Sequence, residues 1–96
     1  PFEVLTPFMQ VRDSLKGRPI YVSIDIDVVD PAYAPGTGTV EPGGCTSNDI
    51  LQVVHNLRGL DVVGFDIVEL APALDHSDIT ALLVAKLVRE ALLVIS

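Results

Sequence analysis

Ile20-Tyr21-Val22-Ser23-Ile24-Asp25-Ile26-Asp27 alternates apolar and polar residues and turns acidic at its end. Side chains of a strand point alternately to its two faces. The period therefore predicts a strand over 20–27, with Val22, Ile24 and Ile26 on one face and Tyr21, Ser23, Asp25 and Asp27 on the other. A second run, 60–69, is apolar nearly throughout, the pattern of a parallel strand covered on both faces, and Pro72 closes it. Between the two lies a loop over 28–45 that holds Pro31, Pro35 and Pro42 with Gly36, Gly38, Gly43 and Gly44. A loop of that length in a compact domain is more often functional than idle. Thr46 is then positioned to cap a helix, Asp49 falls in its first turn, and Gly59 ends it.

Two strands joined by a connection containing a helix form a right-handed βαβ unit. Helices flank this unit in the sequence. Thr6 followed by Pro7 reads as an N-cap with proline at the first helical position, opening a helix through Phe8, Val11 and Leu15 that stops at Gly17. Asp75 or Ser77 is placed to cap a last helix over 78–94. The expected fold class is α/β, a three-layer αβα arrangement around a mostly parallel sheet. No repeat, linker or low-complexity tract divides residues 1–96.

Composition narrows the function classes. The chain has 96 residues, 13 Asp+Glu against 6 Lys+Arg, and a formal charge of −7. Such a surface repels phosphate backbones and anionic lipid, so neither nucleic acid nor membrane is an expected partner. The stretch 79–95 is interrupted by Lys86, Arg89 and Glu90 and is too charged to read as a membrane span. One cysteine, Cys45, cannot build a disulfide framework, and no signal-like segment opens the chain, so the expected location is cytoplasmic. The apolar fraction is 49% and mean hydropathy is +0.47. A free-standing domain of about 100 residues leaves roughly a third of its unfolded-chain surface in water. The excess apolar content leads to the expectation of a piece of a larger protein, or of a protomer that buries broad faces against something else.

Ligands of open parallel sheets bind outside the carboxyl ends of the strands. Acidic residues gather there: Asp25, Asp27 and Asp30 after the first strand, Asp66 and Glu69 in the second. Carboxylates at two-residue spacing on one face repel unless a cation lies between them or one takes a proton. An all-oxygen site suits Mg, Ca or Mn. The plainer reading of Asp25-x-Asp27 is a pair of solvated or turn-capping carboxylates, and the strand-end position with a glycine-rich loop behind it favours the metal.

The run 23–31, Ser-Ile-Asp-Ile-Asp-Val-Val-Asp-Pro, continues through Ala34-Pro35-Gly36-Thr37-Gly38-Thr39 to Glu41-Pro42-Gly43-Gly44. With Gly64-Phe65-Asp66-Ile67-Val68-Glu69-Leu70-Ala71-Pro72, Asp75-His76 and Thr80-Ala81, it resembles the ureohydrolase family of arginases, agmatinases and related guanidino-hydrolases. Pro-Gly-Thr-Gly-Thr with Asp75-His76 resembles the agmatinase branch. The resemblance covers about residues 20–90 and implies an arginase-like fold and a trimeric or hexameric enzyme. It also implies a pair of Mn²⁺ ions that serve in hydrolysing a linear guanidino compound to urea and an amine. Residue by residue it implies that Asp25 bridges the two metals, Asp27 is a terminal ligand of one, and Glu69 pairs with the substrate guanidinium. Asp30 and Thr39 become supporting residues, one bracing the loop and one near the substrate.

The family builds its centre from four aspartates and two histidines, and this chain supplies two of the aspartates. Its proton-shuttling histidine is absent as well, so no catalytic residue is assigned here. The chain is expected to be the C-terminal third of one ureohydrolase domain and inactive by itself. His55, in the middle of an apolar helix, and His76, near the mouth, read as packing or capping residues. Cys45 reads as a small buried hydrophobe, and Val40 stands where the family has proline. Three other readings compete. Asp25-Ile26-Asp27-Val28-Val29 partly matches the Asp-nucleophile motif of Mg-dependent phosphatases, but no later lysine motif accompanies it. Pro35-Gly36-Thr37-Gly38-Thr39 lacks the lysine and the following helix of a phosphate-binding loop. The third is a truncated, non-catalytic homologue that serves as an assembly module.

Overall fold

The computed structural model describes residues 3–95. Helix α1 (Leu5–Arg12) and a 3₁₀ turn (Asp13–Leu15) lead to strand β1 (Pro19–Asp25) and a second 3₁₀ turn (Ile26–Val28). The long loop follows, then helix α2 (Ser47–His55), strand β2 (Asp61–Val68), a 3₁₀ turn (Pro72–Leu74) and helix α3 (Ile79–Ile95). β1 and β2 pair in parallel, from Pro19 opposite Asp61 to Asp25 opposite Val68, with a register irregularity after Ile20. The crossover between them runs through α2, so the α/β class and the parallel pairing expected from the sequence are present.

The core sits on one face of this pair. Ile24, Ile26, Val29, Ala34, Cys45, Ile50, Val54, Leu87 and Ala91 are buried together, with Val22, Phe65 and Ile67 packed against them. Ile24 and Val22 are there because alternate β1 side chains share a face, and Leu87 and Ala91 because they lie four apart on one side of α3. Tyr21, Ser23 and Asp25 occupy the opposite, exposed face. A cross-strand network holds that face together. The Tyr21 and Ser23 hydroxyls each donate to Asp66, both at 2.6 Å. These two bonds keep the Asp66 carboxyl below its ordinary range. The Tyr21 ring also lies over Gly64, where a Cβ would collide with it. Among the described residues, β1 and β2 are the whole sheet. Val63 is therefore 65% exposed, and the expected cover on both faces of β2 is not supplied by these residues. The described residues supply the sheet and the helices on one of its faces, a portion of the expected three-layer arrangement.

Three local expectations are corrected. α1 begins at Leu5, not after Thr6, because its first amides find a partner elsewhere: the Asp49 carboxylate accepts from Val4 N at 2.7 Å and from Leu5 N at 3.4 Å. A negative group at a helix N-terminus does what a local cap would do. Arg12 then fastens the other end of α1, donating to the carbonyls of Asn56 and Arg58 beyond α2. β1 ends at Asp25 and not at Asp27, since the Asp25 side chain accepts the Asp27 N–H and turns the chain into a 3₁₀ turn. His55 closes α2 instead of lying mid-helix, and its Nε2 lies 3.2 Å from Glu90 Oε1 on α3. The Thr46 cap is present, with Thr46 Oγ1 accepting from Asp49 N at 3.0 Å.

Asp75 is the buried polar anchor of α3. Its carboxylate accepts from Thr80 N at 2.7 Å, from Ser77 N at 3.1 Å and from Ser77 Oγ at 2.9 Å. The Thr80 and Ser77 donors hold its pKa down at about 2, against the opposing effect of desolvation. A depressed carboxyl pKa means stability present above the unfolded value, near 3.9, and lost as pH falls through the folded one. The melting temperature of the protein should therefore fall between about pH 4 and about pH 2, and Asp75→Asn should flatten that part of the profile. Equal slopes in the two proteins would remove Asp75 from the acid transition.

Candidate metal and substrate site

The parallel ladder ends with Asp25 opposite Val68, so Asp25, Asp27 and Glu69 all leave the sheet at the same end. Asp25 is exposed on the last residue of β1, and Asp27 is half-buried on the turn that follows. Asp27 N donates to Asp25 Oδ1 at 3.1 Å, which fixes one carboxylate relative to the next backbone turn. Burial pushes the Asp27 carboxyl above its ordinary range, and the charge and hydrogen bond of Asp25 and the charges of Glu69 and Glu41 add to the shift. Three acidic neighbours thus act on Asp27 at this strand end. Among the described residues no lysine or arginine forms an ion pair with Asp25, Asp27, Glu41 or Glu69.

A hollow of ≈ 310 Å³ opens beside them, lined by Asp27, Val28, Thr39, Glu41, Pro42, Gly43 and Gly44. Asp27 and Thr39 meet there; Asp25 and Glu69 are not part of the lining. Glu41 is a wall residue to which the sequence reading gave no role, although it stands inside the Glu41-Pro42-Gly43-Gly44 run that the reading singled out. The signal was available: a carboxylate beside a Pro-Gly-Gly turn in a loop that returns to an acidic strand end.

Asp30 holds that wall in place. Its Oδ1 accepts from Ala32 N and its Oδ2 from Gly43 N, both at 2.9 Å. The amides of Ala32, Gly43 and Gly44 hold its carboxyl below the usual range against desolvation. The two ends of the loop are further joined by Asp30 N to Cys45 O at 2.8 Å and Cys45 N to Val28 O at 2.9 Å. These bonds bring Gly44 so close to the chain that a Cβ would stand 2.6 Å from Asp30 N and 2.7 Å from Val28 O. Cys45 is fully buried behind them, and burial raises its thiol to about 11, so it packs as an inert hydrophobe.

Glu69 has φ +70°, the left-handed region that a non-glycine residue enters at a cost of about 1–3 kcal/mol. Such a conformation persists where its surroundings fix it. Here Leu70 forms an isolated antiparallel bridge with Thr37, and Ala71 N donates to Gly36 O at 2.7 Å. His76 is exposed in the turn before α3.

The donor set consists of carboxylate oxygens, the chemistry that hard divalent cations take. Asp25 and Asp27 fit such a cation as part of a ligand shell. Among the described residues no group of three His, Cys, Asp or Glu side chains could by itself hold a metal ion. No helix among them is long and apolar enough to cross a membrane.

The arginase family model matches residues 3–94. The chain belongs to the arginase family. It is 54% identical over 94 residues to an agmatinase of Bacillus subtilis, an alignment covering 96% of this chain and 32% of that protein. To the human mitochondrial guanidino acid hydrolase it is 51% identical over 89 residues, covering 92% of this chain and 25% of the relative. A crystal structure described as a hypothetical agmatinase from Burkholderia thailandensis superposes with a TM-score of 0.87 at 42% identity, over 93% of this chain and 28% of that one. The chain spans about a third or less of the length of the curated relatives it matches. Family membership carries the parallel α/β sheet with it and leaves the Asp-nucleophile phosphatase reading without support.

Gly44 provides a test of the site's scaffold. Gly44→Ala forces backbone apart on both sides of the loop and should destabilise the protein by about 1–3 kcal/mol in urea denaturation. An unchanged midpoint would mean that the loop is not held as closely as the Asp30 and Cys45 hydrogen bonds imply.

Proposed function

We propose that this chain carries the metal- and substrate-facing carboxylates of a hydrolase that releases urea from a linear guanidino compound. The observation that carries the reading is the unpaired acidic strand end. Asp25, Asp27 and Glu69 leave adjacent parallel strands together, and no basic side chain among the described residues neutralises them. Two kinds of positive partner suit such a place, a divalent cation and a guanidinium. In this reading Asp25 and Asp27 are two of the ligands of a manganese pair, and the remaining ligands come from outside the described residues. Divalent ions, when bound, supply Lewis acidity for hydrolysis near neutral pH.

Glu69 has the other task. A planar guanidinium favours a carboxylate that accepts two parallel N–H bonds, and a fixed backbone keeps that acceptor aimed. Its left-handed φ supports a role in which aim matters more than local comfort. Thr39, in the wall with Asp27, is a candidate contact for the substrate side, and Asp30 keeps the wall closed. Relatives named agmatinase and guanidino acid hydrolase stand at nearly equal identity. The compound is therefore proposed as a guanidino amine or a guanidino acid, with agmatine first. Assembly into trimers or hexamers belongs to the same proposal and is supported by the exposed Leu82, Val88 and Leu92 of α3. So does a cytoplasmic location, with Cys45 as a free buried thiol.

The test uses the natural protein loaded with manganese and follows urea release from agmatine and from 4-guanidinobutanoate. Asp27→Asn should lose bound manganese and lower turnover by more than the roughly 10–100-fold that loss of an outer-shell partner costs. Glu69→Gln should keep its metal and raise KM by roughly ten- to a hundredfold, the value of hydrogen bonds to a charged group. Full metal content and wild-type urea release in Asp27→Asn would overturn the ligand assignment. A protein that binds no manganese and releases no urea from either compound favours the assembly-module reading.

A further inference from the structure

Outside the acidic strand end, the most tightly buried polar residue among the described ones is Thr80, fully buried on the first turn of α3. Its Oγ1 accepts from Gly36 N at 2.7 Å, and its N–H donates to Asp75 Oδ2 at 2.7 Å. Gly36 in turn accepts Ala71 N at 2.7 Å through its own carbonyl, and the next residues, Thr37 and Leu70, form the antiparallel bridge. The contact tolerates no side chain at Gly36, where a Cβ would stand 2.9 Å from Asp75 Cβ and 3.0 Å from Thr80 Cβ and Oγ1. One continuous line of hydrogen bonds therefore runs from Asp75 through Thr80 and Gly36 to Ala71. On one side of it lies the loop that carries Thr39, and on the other the strained Glu69.

We propose that Thr80, braced by Asp75, is a positioning residue: through Gly36 it clamps the 36–39 loop onto the 69–71 segment and so sets Glu69 and Thr39 relative to each other. A helix cap explains the Thr80 N–H bond to Asp75 but not the hydroxyl. A cap needs only the amide; the hydroxyl is spent on a loop 44 residues away in sequence. Glu69 needs such a fixture, since a non-glycine residue at φ +70° relaxes when its neighbours no longer hold it. The functional consequence rests on the guanidinium role proposed for Glu69; the clamp itself does not.

Two variants separate the hydroxyl from the fold. Thr80→Val keeps the shape and the backbone cap, and Thr80→Ser keeps the hydroxyl. In the manganese-loaded natural protein, Thr80→Val should lower kcat/KM for the guanidino substrate by about ten- to a hundredfold, mainly through KM, with metal content retained. Thr80→Ser should restore the wild-type value. Amide hydrogen exchange gives a readout independent of activity. In Thr80→Val the Gly36 and Ala71 amides should exchange faster while those in the middle of α3 keep their protection. Should Thr80→Val fail to fold, Thr80→Ala, which leaves room for water at the Gly36 amide, takes its place with the same expectations. Unchanged exchange at Gly36 and Ala71 would overturn the clamp. Faster exchange with an unchanged KM, or equal KM changes in the serine and valine variants, would overturn the positioning role. If the wild-type protein is inactive on every guanidino compound while Gly36 and Ala71 still loosen in Thr80→Val, the clamp stands, the positioning role is overturned, and it is the enzymatic reading that has failed.

Discussion

Asp25 faces Val68 across a parallel ladder, and the electrostatics of the strand ends follow from that pairing. Parallel strands finish side by side at the same end, so acidic residues that terminate both of them are brought together whether or not anything compensates their charge. In this chain nothing among the described residues does. The Asp27 carboxyl is pushed upward by its burial and by its acidic neighbours, the signature of a place where a positive partner would be favoured. Folding energy from the apolar face of the sheet is what holds these charges in proximity; Ile24, Ile26 and Val29 are packed while Asp25, between them in sequence, is exposed and Asp27 is half-buried on the turn that follows.

Around that strand end the loops are fixed by polar contacts rather than by apolar ones. Asp30 gathers the amides of Ala32 and Gly43, Cys45 stitches the loop back onto Val28 and Asp30, and Thr80 ties Gly36 to the segment after β2. Each of these bonds crosses from one end of a breaker-rich segment to another. A long loop held in this way has a shape of its own, and the close approaches at Gly36 and Gly44 are the places where that shape leaves no room for a side chain.

Much of this was legible from residue order. Alternation over 20–25 gave the faces of β1, the apolar run gave β2, and Thr46 was recognisable as a cap because its partner amide lies three residues on. The failures share a cause. The start of α1 depends on Asp49, more than 40 residues away, and no local pattern encodes a cap delivered by tertiary contact. The end of β1 depends on whether Asp25 turns its side chain back onto Asp27 N, which period-2 counting cannot foresee. Residue order assigns no task to Glu41, whose place in the wall follows from where the loop returns, nor to Thr80, whose hydroxyl gains one only by reaching Gly36.

Placing Asp25, Asp27 and Glu69 at one site for positive ligands is a claim about position, and diffraction tests it most directly. Crystals of the natural protein grown with manganese and measured at the metal's absorption edge should show anomalous density at ligand distance from the Asp25 and Asp27 carboxylates, with Glu69 facing the same space. Anomalous density bound elsewhere, or Asp25 and Asp27 found paired with lysine or arginine side chains, would contradict the account.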